Sequence, residues 1–502
     1  MKRITRREVL KVTTAGAMTF SVPSLALLGP RLSKGAGPNA ELRLGVIGFG
    51  GINTVGGVGG RGRQLIERFR AVPGVRIAAL CDVDQAILDH EVEQFKGRGE
   101  AVAAYTDLRK LLDDKTIDAV AIATPNHWHA LATIWACQAG KDVYVEKPFS
   151  YNIWEGRQMV AAARKHGRMV QVGTQRRSST GFPQVIEYVR SGAIGPVRCA
   201  YALVYRAREG IGRVTAPTPV PSTVDYNLWC GPAPVQPLMR KQLHYDWHWF
   251  WSTGNGEIAN NGAHQIDVAR WALGQEKPAP RAMSIGGRFG FQDDAETANT
   301  QIAYFDYRPA PLICEVRNLR ANKDANAIGK FRGIGVGVVI DCEGGYVVND
   351  SSGGTVFDPR GKKIKDMQDS QKAKQQEVLH VANFVEAVRS RNSSSLHAEA
   401  LVGHVTAACC HMANLSHRLG QQTPPEVILE KTRAKTELSD AFERCRDYLR
   451  ANGVDLRDTR AVLGPWLTFD GDREQFVGEF ADRANALSRR PYREPFAVPE
   501  MT

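Results

Sequence analysis

From residue 42 onward, short, largely apolar runs alternate with longer stretches of helical period. The runs at 42–48, 75–82, 118–125 and 142–148 are separated by RGRQLIERFRAV (61–72) and HALATIWACQAG (129–140), whose apolar positions recur every three to four residues. Apolar runs without strict alternation read as strands buried on both faces. Their repetition with helices predicts a parallel sheet with crossover helices. After about residue 197 the pattern changes. The segments 197–206, 300–307, 312–319 and 337–348 read as alternating strands separated by turns, a second sheet. Two helical stretches, 374–391 and 401–420, are expected to cover one face of that sheet. The predicted class is α/β, with the chain from residue 41 divided into 41–172, 173–430 and a C-terminal extension 431–502.

The first strand runs directly into Gly48-Phe49-Gly50-Gly51. A second cluster, Gly57 to Gly62, is a complete G-x-G-x-x-G that includes Arg61 and opens the first helix. Such a turn places bare backbone amides at a helix N-terminus, where a pyrophosphate is bound. The next strand ends at Asp82, 20 residues after Gly62. A carboxylate there can accept hydrogen bonds from both ribose hydroxyls and would repel a 2′-phosphate. The expected cofactor is therefore NAD, with NADP the alternative.

Composition narrows the classes. The 502 residues are 43% hydrophobic and 24% charged, as in an ordinary globular chain of two or three domains. Half of the net charge of +12 sits in residues 1–40, and the rest forms no long basic run, so nucleic acid is not an expected partner. The nine cysteines include no CxxC pair, so neither a disulfide framework nor a metal site is expected. Arg6 and Arg7 precede a weakly apolar stretch from Val12 to Leu28, a pattern that resembles a twin-arginine export signal. Residues 1–40 are read as that signal and a linker, with cleavage near Ser24-Leu25-Ala26 and a periplasmic or otherwise exported destination. No stable membrane span is expected, because the stretch contains threonines, serines and Pro23.

Three further motifs carry a family resemblance. Thr124-Pro125-Asn126-His127-Trp128-His129, Val145-Glu146-Lys147-Pro148 and Gly262-Ala263-His264-Gln265-Ile266-Asp267 resemble those of the Gfo/Idh/MocA oxidoreductases, the group of glucose-fructose oxidoreductase and inositol dehydrogenase. The closing segments around 463–470 and 492–500 look like the exported subgroup. The resemblance implies a Rossmann dinucleotide-binding domain over 41–172 and a substrate and oligomerisation domain over 173–430, with substrate bound between them and an open, mostly antiparallel sheet that serves as an oligomer interface in a dimer or tetramer.

It also implies roles for particular residues. Lys147 would stabilise a substrate alkoxide, and His264 would act as general base. The family usually carries an aspartate four residues before that histidine, where this chain has Asn260. Either Asp267 then assists the imidazole or Asn260 orients the substrate. Gly48, Phe49, Gly50, Gly51, Arg61, Gly62, Asp82, Thr124, Pro125, Asn126, His129, Glu146, Lys147 and Gln175 are the expected cofactor contacts. Arg176, Trp247, His248, Trp249 and Asp267 are candidates for the substrate. As an extended strand, Trp247, Trp249 and Trp251 would project from one face, either as core or as a platform for a sugar ring.

The function that follows is an exported NAD(P)-dependent oxidoreductase acting on a secondary hydroxyl of a sugar or glycoside, with the nicotinamide tightly bound and the twin-arginine machinery as a transport partner. An NAD-dependent glycosidase working through a transient ketone is the second reading. A non-catalytic nucleotide-binding sensor is the third.

Overall fold

The computed structural model describes residues 41–51, 60–350, 353–368 and 373–501. The paired arginines, the cleavage site and Gly57 to Gly59 of the second glycine cluster lie outside the described residues.

Six parallel strands form the first sheet: β1 (Leu42–Ile47), β2 (Val75–Cys81), β3 (Ala103–Tyr105), β4 (Ala119–Ile122), β5 (Asp142–Val145) and β6 (Val170–Val172). Their order is β3-β2-β1-β4-β5-β6, the doubly wound Rossmann arrangement, in which strand order reverses between β1 and β4. Strands β4 and β5 are buried throughout because helices cover both faces, which is why their sequences are continuous apolar runs. The helix Arg61–Arg70 packs Leu65, Ile66 and Phe69 into the core. Asp84, Asp107 and Asn152 cap the helices that begin just after them, each accepting a backbone N–H.

The second sheet is built from β7 (Val197–Tyr205), β8 (Arg281–Gly287), β9 (Thr300–Phe305), β10 (Leu312–Arg317), β11 (Val336–Cys342), β12 (Gly345–Asp350), β13 (Gly353–Phe357), β14 (Lys363–Gln368), β15 (Gln421–Thr423) and β16 (Ala461–Leu463). The order is β14-β13-β12-β11-β7-β10-β9-β8-β16-β15. It is antiparallel except where β7 meets β10. The helices Gly181–Arg190, Gly262–Ala272 and Ala400–Leu419 pack on one face.

One expectation changes here. The helix Ala373–Ser390 does not cover the second sheet: Val381, Phe384, Val385 and Val388 enter the core of the first. Amphipathic period shows that a helix has a buried face, and does not say which sheet receives it. In addition, the outer face of the second sheet is already covered within this chain. The helix Thr436–Ala451 lays Leu438, Phe442, Cys445, Tyr448 and Leu449 on it, and Phe331 packs on Tyr201 with ring centroids 5.0 Å apart. After Ala461, strands at 461–463 and 467–470 pair with β8, and the tail reaches the first domain, where Phe496 packs edge-on against Trp128.

Among the described residues no helix is long and apolar enough to cross a membrane, and no group of three His, Cys, Asp or Glu side chains could hold a metal ion. All nine cysteines are buried free thiols.

Candidate active site

A cavity of about 410 Å³ opens at the carboxyl ends of β1, β2, β4 and β5 and extends to the second domain. One end is a tight turn. Gly48 has φ +88°, and a Cβ there would lie 2.9 Å from the Ala123 carbonyl oxygen. At Gly62 a Cβ would lie 2.0 Å from the Gly48 carbonyl oxygen. No other residue fits either position without moving backbone.

The Asp82 side chain is fixed by two backbone donors. The Phe49 N–H donates to Oδ2 at 2.8 Å and the Asp84 N–H to Oδ1 at 3.0 Å. Burial raises its pKa and these two bonds oppose the rise. Glu146 accepts from Arg61 at 2.7 Å, and Glu377 accepts from Arg61 at 3.2 Å and from Arg68 at 2.7 Å.

A segment of the second domain folds over this end. The Gln85 N–H donates to the Thr223 carbonyl at 2.9 Å, His244 Nε2 donates to Asp84 at 2.9 Å, and the Trp128 indole N–H donates to the Leu228 carbonyl at 3.0 Å.

The other end centres on Lys147, which follows β5. Its Nζ donates to the Asn260 backbone oxygen at 2.7 Å and to Asn260 Oδ1 at 2.9 Å. Burial lowers its pKa to about 8. His264, on the helix Gly262–Ala272, is half-buried and lines the same cavity. Its Nδ1 is buried with no hydrogen-bond partner among the described residues. Burial, reinforced by the charges of Lys147, Arg176 and Arg61, holds the imidazole well below its ordinary pKa, so it is neutral at physiological pH.

Glu257, fully buried, accepts from Arg208 Nη2 at 3.1 and 3.0 Å and also from Asn261. Arg208 Nη1 donates to the Tyr245 hydroxyl at 2.9 Å. Trp247 and His248 line the wall with stacked rings 3.6 Å apart. His248 Nδ1 donates to the Tyr245 carbonyl at 2.6 Å, and burial lowers the ring's pKa to about 3.

The nucleotide-binding half, residues 42–174, matches the model of an oxidoreductase family with an NAD-binding Rossmann fold, and residues 208–433 match that family's C-terminal alpha/beta domain. The two matches together cover well over half of the sequence. The chain belongs to the Gfo/Idh/MocA oxidoreductase family.

Among its relatives, a glycosyl hydrolase family 109 protein of Shewanella sp. (strain ANA-3) is 33% identical over 213 residues, covering 39% of this chain and 44% of that protein. An inositol 2-dehydrogenase of Salmonella paratyphi B is 31% identical over 171 residues, covering 33% of this chain and 46% of that protein. The chain thus spans about half the length of these curated relatives. An oxidoreductase from Agrobacterium radiobacter, solved with NAD+, L-tartaric acid and magnesium, superposes with a TM-score of 0.54 at 19% identity. That superposition covers 74% of this chain and 95% of the other.

The residues present fit the family's cofactor. The two glycine positions leave room for close backbone approach, and Asp82 sits at the end of β2 with lone pairs left after its two bonds. Thr124 Oγ1 and Gln175 Oε1 are buried without hydrogen-bond partners among the described residues, an arrangement that a polar ligand would satisfy.

Of the residues expected at the site, Gly48, Gly50, Arg61, Asp82, Thr124, Pro125, Asn126, His129, Glu146, Lys147, Gln175, Trp247, His248, Asn260 and His264 line the cavity. Phe49 takes part through its backbone while its ring lies in the core. Gly62 works by its missing side chain, and the Gly51 carbonyl accepts from Arg63 at 2.9 Å. His129 sits between the carbonyls of Pro148 and Thr124, at 2.7 and 2.9 Å, and so links the Lys147 turn to the loop after β4.

Other expectations are corrected. Asp267 is 1% exposed and points away from the cavity: it accepts from Arg177 at 2.7 and 2.9 Å and from Thr406 at 2.9 Å. Its hydrogen-bond partners are Arg177 and Thr406, and it makes no hydrogen bond to His264. Asn260 bonds Lys147 through its amide oxygen. Arg176 bonds Gln265 and does not line the cavity. Residues 246–249 form a 3-10 turn instead of an extended strand. Trp247 and His248 therefore reach the cavity while Trp249 packs behind, beneath the Arg208 guanidinium.

Among the lining residues that were not expected from the sequence are Arg206, Arg208, Trp229, His244 and Glu377. Of these, Glu377 alone had a usable signal, an acid near the start of a helix with two basic residues, Arg61 and Arg68, in the predicted first helix.

Proposed function

We propose that this chain is an exported oxidoreductase that moves a hydride between a secondary hydroxyl of a sugar or glycoside and a tightly held NAD, with Lys147 and His264 as the acting pair. The observation that carries the reading is the meeting of these two side chains in the cavity that also holds Asp82 and the Gly48 turn.

Bound NAD supplies one chemical capability, the acceptance of a hydride from the carbinol carbon. The rest falls to the protein. Lys147 uses two N–H groups on Asn260 and keeps a third for the substrate oxygen, whose growing negative charge it stabilises. His264, neutral, takes the hydroxyl proton. The carbinol thereby loses one hydride and one proton and becomes a ketone. Trp247 offers an indole face on which a sugar ring can pack.

The glycosyl hydrolase relative favours a second reading, in which the ketone is transient and an aglycone is eliminated before the hydride returns. Product analysis separates the two. Purified protein is denatured to identify any released nucleotide, and native protein is incubated with free sugars and with aryl glycosides. Ketose or lactone products support the dehydrogenase, a free aglycone without net oxidation supports the glycosidase, and an absence of nicotinamide nucleotide sinks both.

Export rests on Arg6 and Arg7 before a weakly apolar stretch. Replacing both with lysine should leave folded, loaded protein in the cytoplasm, and unchanged export would end that part of the proposal.

A further inference from the structure

Among the described residues, the carboxylates lining the cavity are Asp82, Asp107, Glu146 and Glu377. Each is engaged there: Asp107 by Arg109, Glu146 and Glu377 by Arg61, and Asp82 by backbone N–H groups. Besides Arg61, the lining contains the cationic side chains Lys147, Arg206 and Arg208, and the negative charges that act on Lys147 are those of Glu146 and Glu257. Arg208 is balanced from behind by Glu257, its salt-bridge partner at 3.0 Å. Lys147 is held by neutral oxygens of Asn260.

Arg206 has no such balance. Its backbone is fixed just beyond β7, with its N–H donating to the Arg317 carbonyl and its carbonyl accepting from Asn318, both at 2.9 Å. Its guanidinium is exposed, lines the cavity, and makes no hydrogen bond or ion pair among the described residues. A free guanidinium carried on a fixed backbone, in the same cavity lining as Arg208 and Lys147, adds positive charge to that lining, and its planar fork matches an oxyanion.

We propose that the sugar taken by this site carries an anionic group, a carboxylate or a phosphate monoester, and that Arg206 receives it. The inference rests on the carbohydrate reading of the site. It places Lys147 and His264 at the carbinol and Arg206 at a charged substituent elsewhere on the same molecule, which makes Arg206 a residue of substrate choice and not of the hydride step.

The test is a fluorescence titration of the nucleotide-loaded full chain, reading Trp229 and Trp247. The probes are D-glucose, D-galactose and D-mannose, their hexuronates and their 6-phosphates. At least one anionic member should bind about tenfold or more tightly than its neutral parent, a difference of about 1.4 kcal/mol. The hexuronate and 6-phosphate arms identify which anion it is. The advantage should shrink as salt is raised, because the guanidinium is exposed. Arg206→Ala should abolish the advantage and Arg206→Lys should keep part of it, with nucleotide content serving as the check on folding.

Equal or tighter binding by the neutral sugars throughout, no binding by any anionic member, or an advantage that survives in Arg206→Ala would each overturn the proposal. Failure of the hydride assignment reads differently: an Arg206-dependent preference would persist while no probe produced reduced nicotinamide.

Discussion

At the cofactor end of the cavity every carboxylate meets a fixed donor, and the geometry is set by backbone: Gly48 and Gly62 admit no side chain, and Asp82 is held by two amides. At the substrate end the contacts run between side chains from distant segments. Lys147 meets Asn260, Arg208 meets Glu257 and Tyr245, and Trp247 stacks on His248 within a short turn. A site for an invariant ligand can be built into strand ends and a helix N-terminus, where the backbone itself supplies the donors. A site that must discriminate among similar ligands is assembled from side chains that can be exchanged without disturbing the sheet.

If the two ends are separable in this way, substitutions should separate them. Lys147→Ala and His264→Ala should each leave nucleotide bound while turnover falls by about 10²–10⁴-fold, the usual range for a lost proton-transfer or charge-stabilising group. Steady-state turnover measured alongside nucleotide content checks this; loss of nucleotide in either variant would merge the two ends.

Asp82→Ser should do the reverse. It removes the ribose acceptor and the charge that repels a 2′-phosphate, so the ratio of NAD to NADP affinity should fall by about tenfold, each 1.4 kcal/mol being a factor of ten. Calorimetric titration of both nucleotides at one ionic strength measures the ratio. Equal affinities in the unaltered protein would remove Asp82 from its role.

A smaller effect concerns pH. Lys147 is useful when protonated, and with its pKa lowered to about 8 the activity that depends on its charge should be present below that value and lost as pH rises through it. Because Asn260 Oδ1 accepts directly from Lys147, Asn260→Asp would put a carboxylate against the ammonium and raise its pKa. The basic limb of kcat/KM should therefore move to higher pH by about one unit, the usual size of a single-partner shift. An unchanged basic limb in this variant would show that Lys147 does not set it.

The same contrast explains what could be read in the sequence. Gly48, Gly62 and Asp82 were legible because the strand, the turn and the carboxylate follow one another along the chain at fixed spacing. Lys147 and His264 carry no such local pattern and were marked by resemblance to the family. Arg206, Arg208 and His244 lie in irregular chain between β7 and the helix Gly262–Ala272, where no period reports which side chains face inward.

The tryptophan-rich segment misled for a definite reason. Alternation suggested a strand, but Asp246 accepts the Gln242 N–H at 3.0 Å and its own N–H donates back to the Gln242 carbonyl, which winds the segment into a turn. Asp267 is a comparable case. It was expected as a possible partner of the His264 imidazole, and Arg177, itself 11% exposed in its side chain, holds it in a buried ion pair. Removing one partner of such a pair typically costs about 3–5 kcal/mol, so its value here is structural.

The central claim, that hydride leaves a substrate carbinol under the joint action of Lys147 and His264, is tested most directly by anaerobic stopped-flow absorbance of NAD-loaded protein in a single turnover with a sugar it oxidises. The reduced-nicotinamide band should grow in one exponential in the unaltered protein. Its rate should fall by about 10²-fold or more in both alanine variants although their nucleotide content is intact. Growth of the band at the unaltered rate in both variants would contradict the account and move the chemistry to other residues of the cavity.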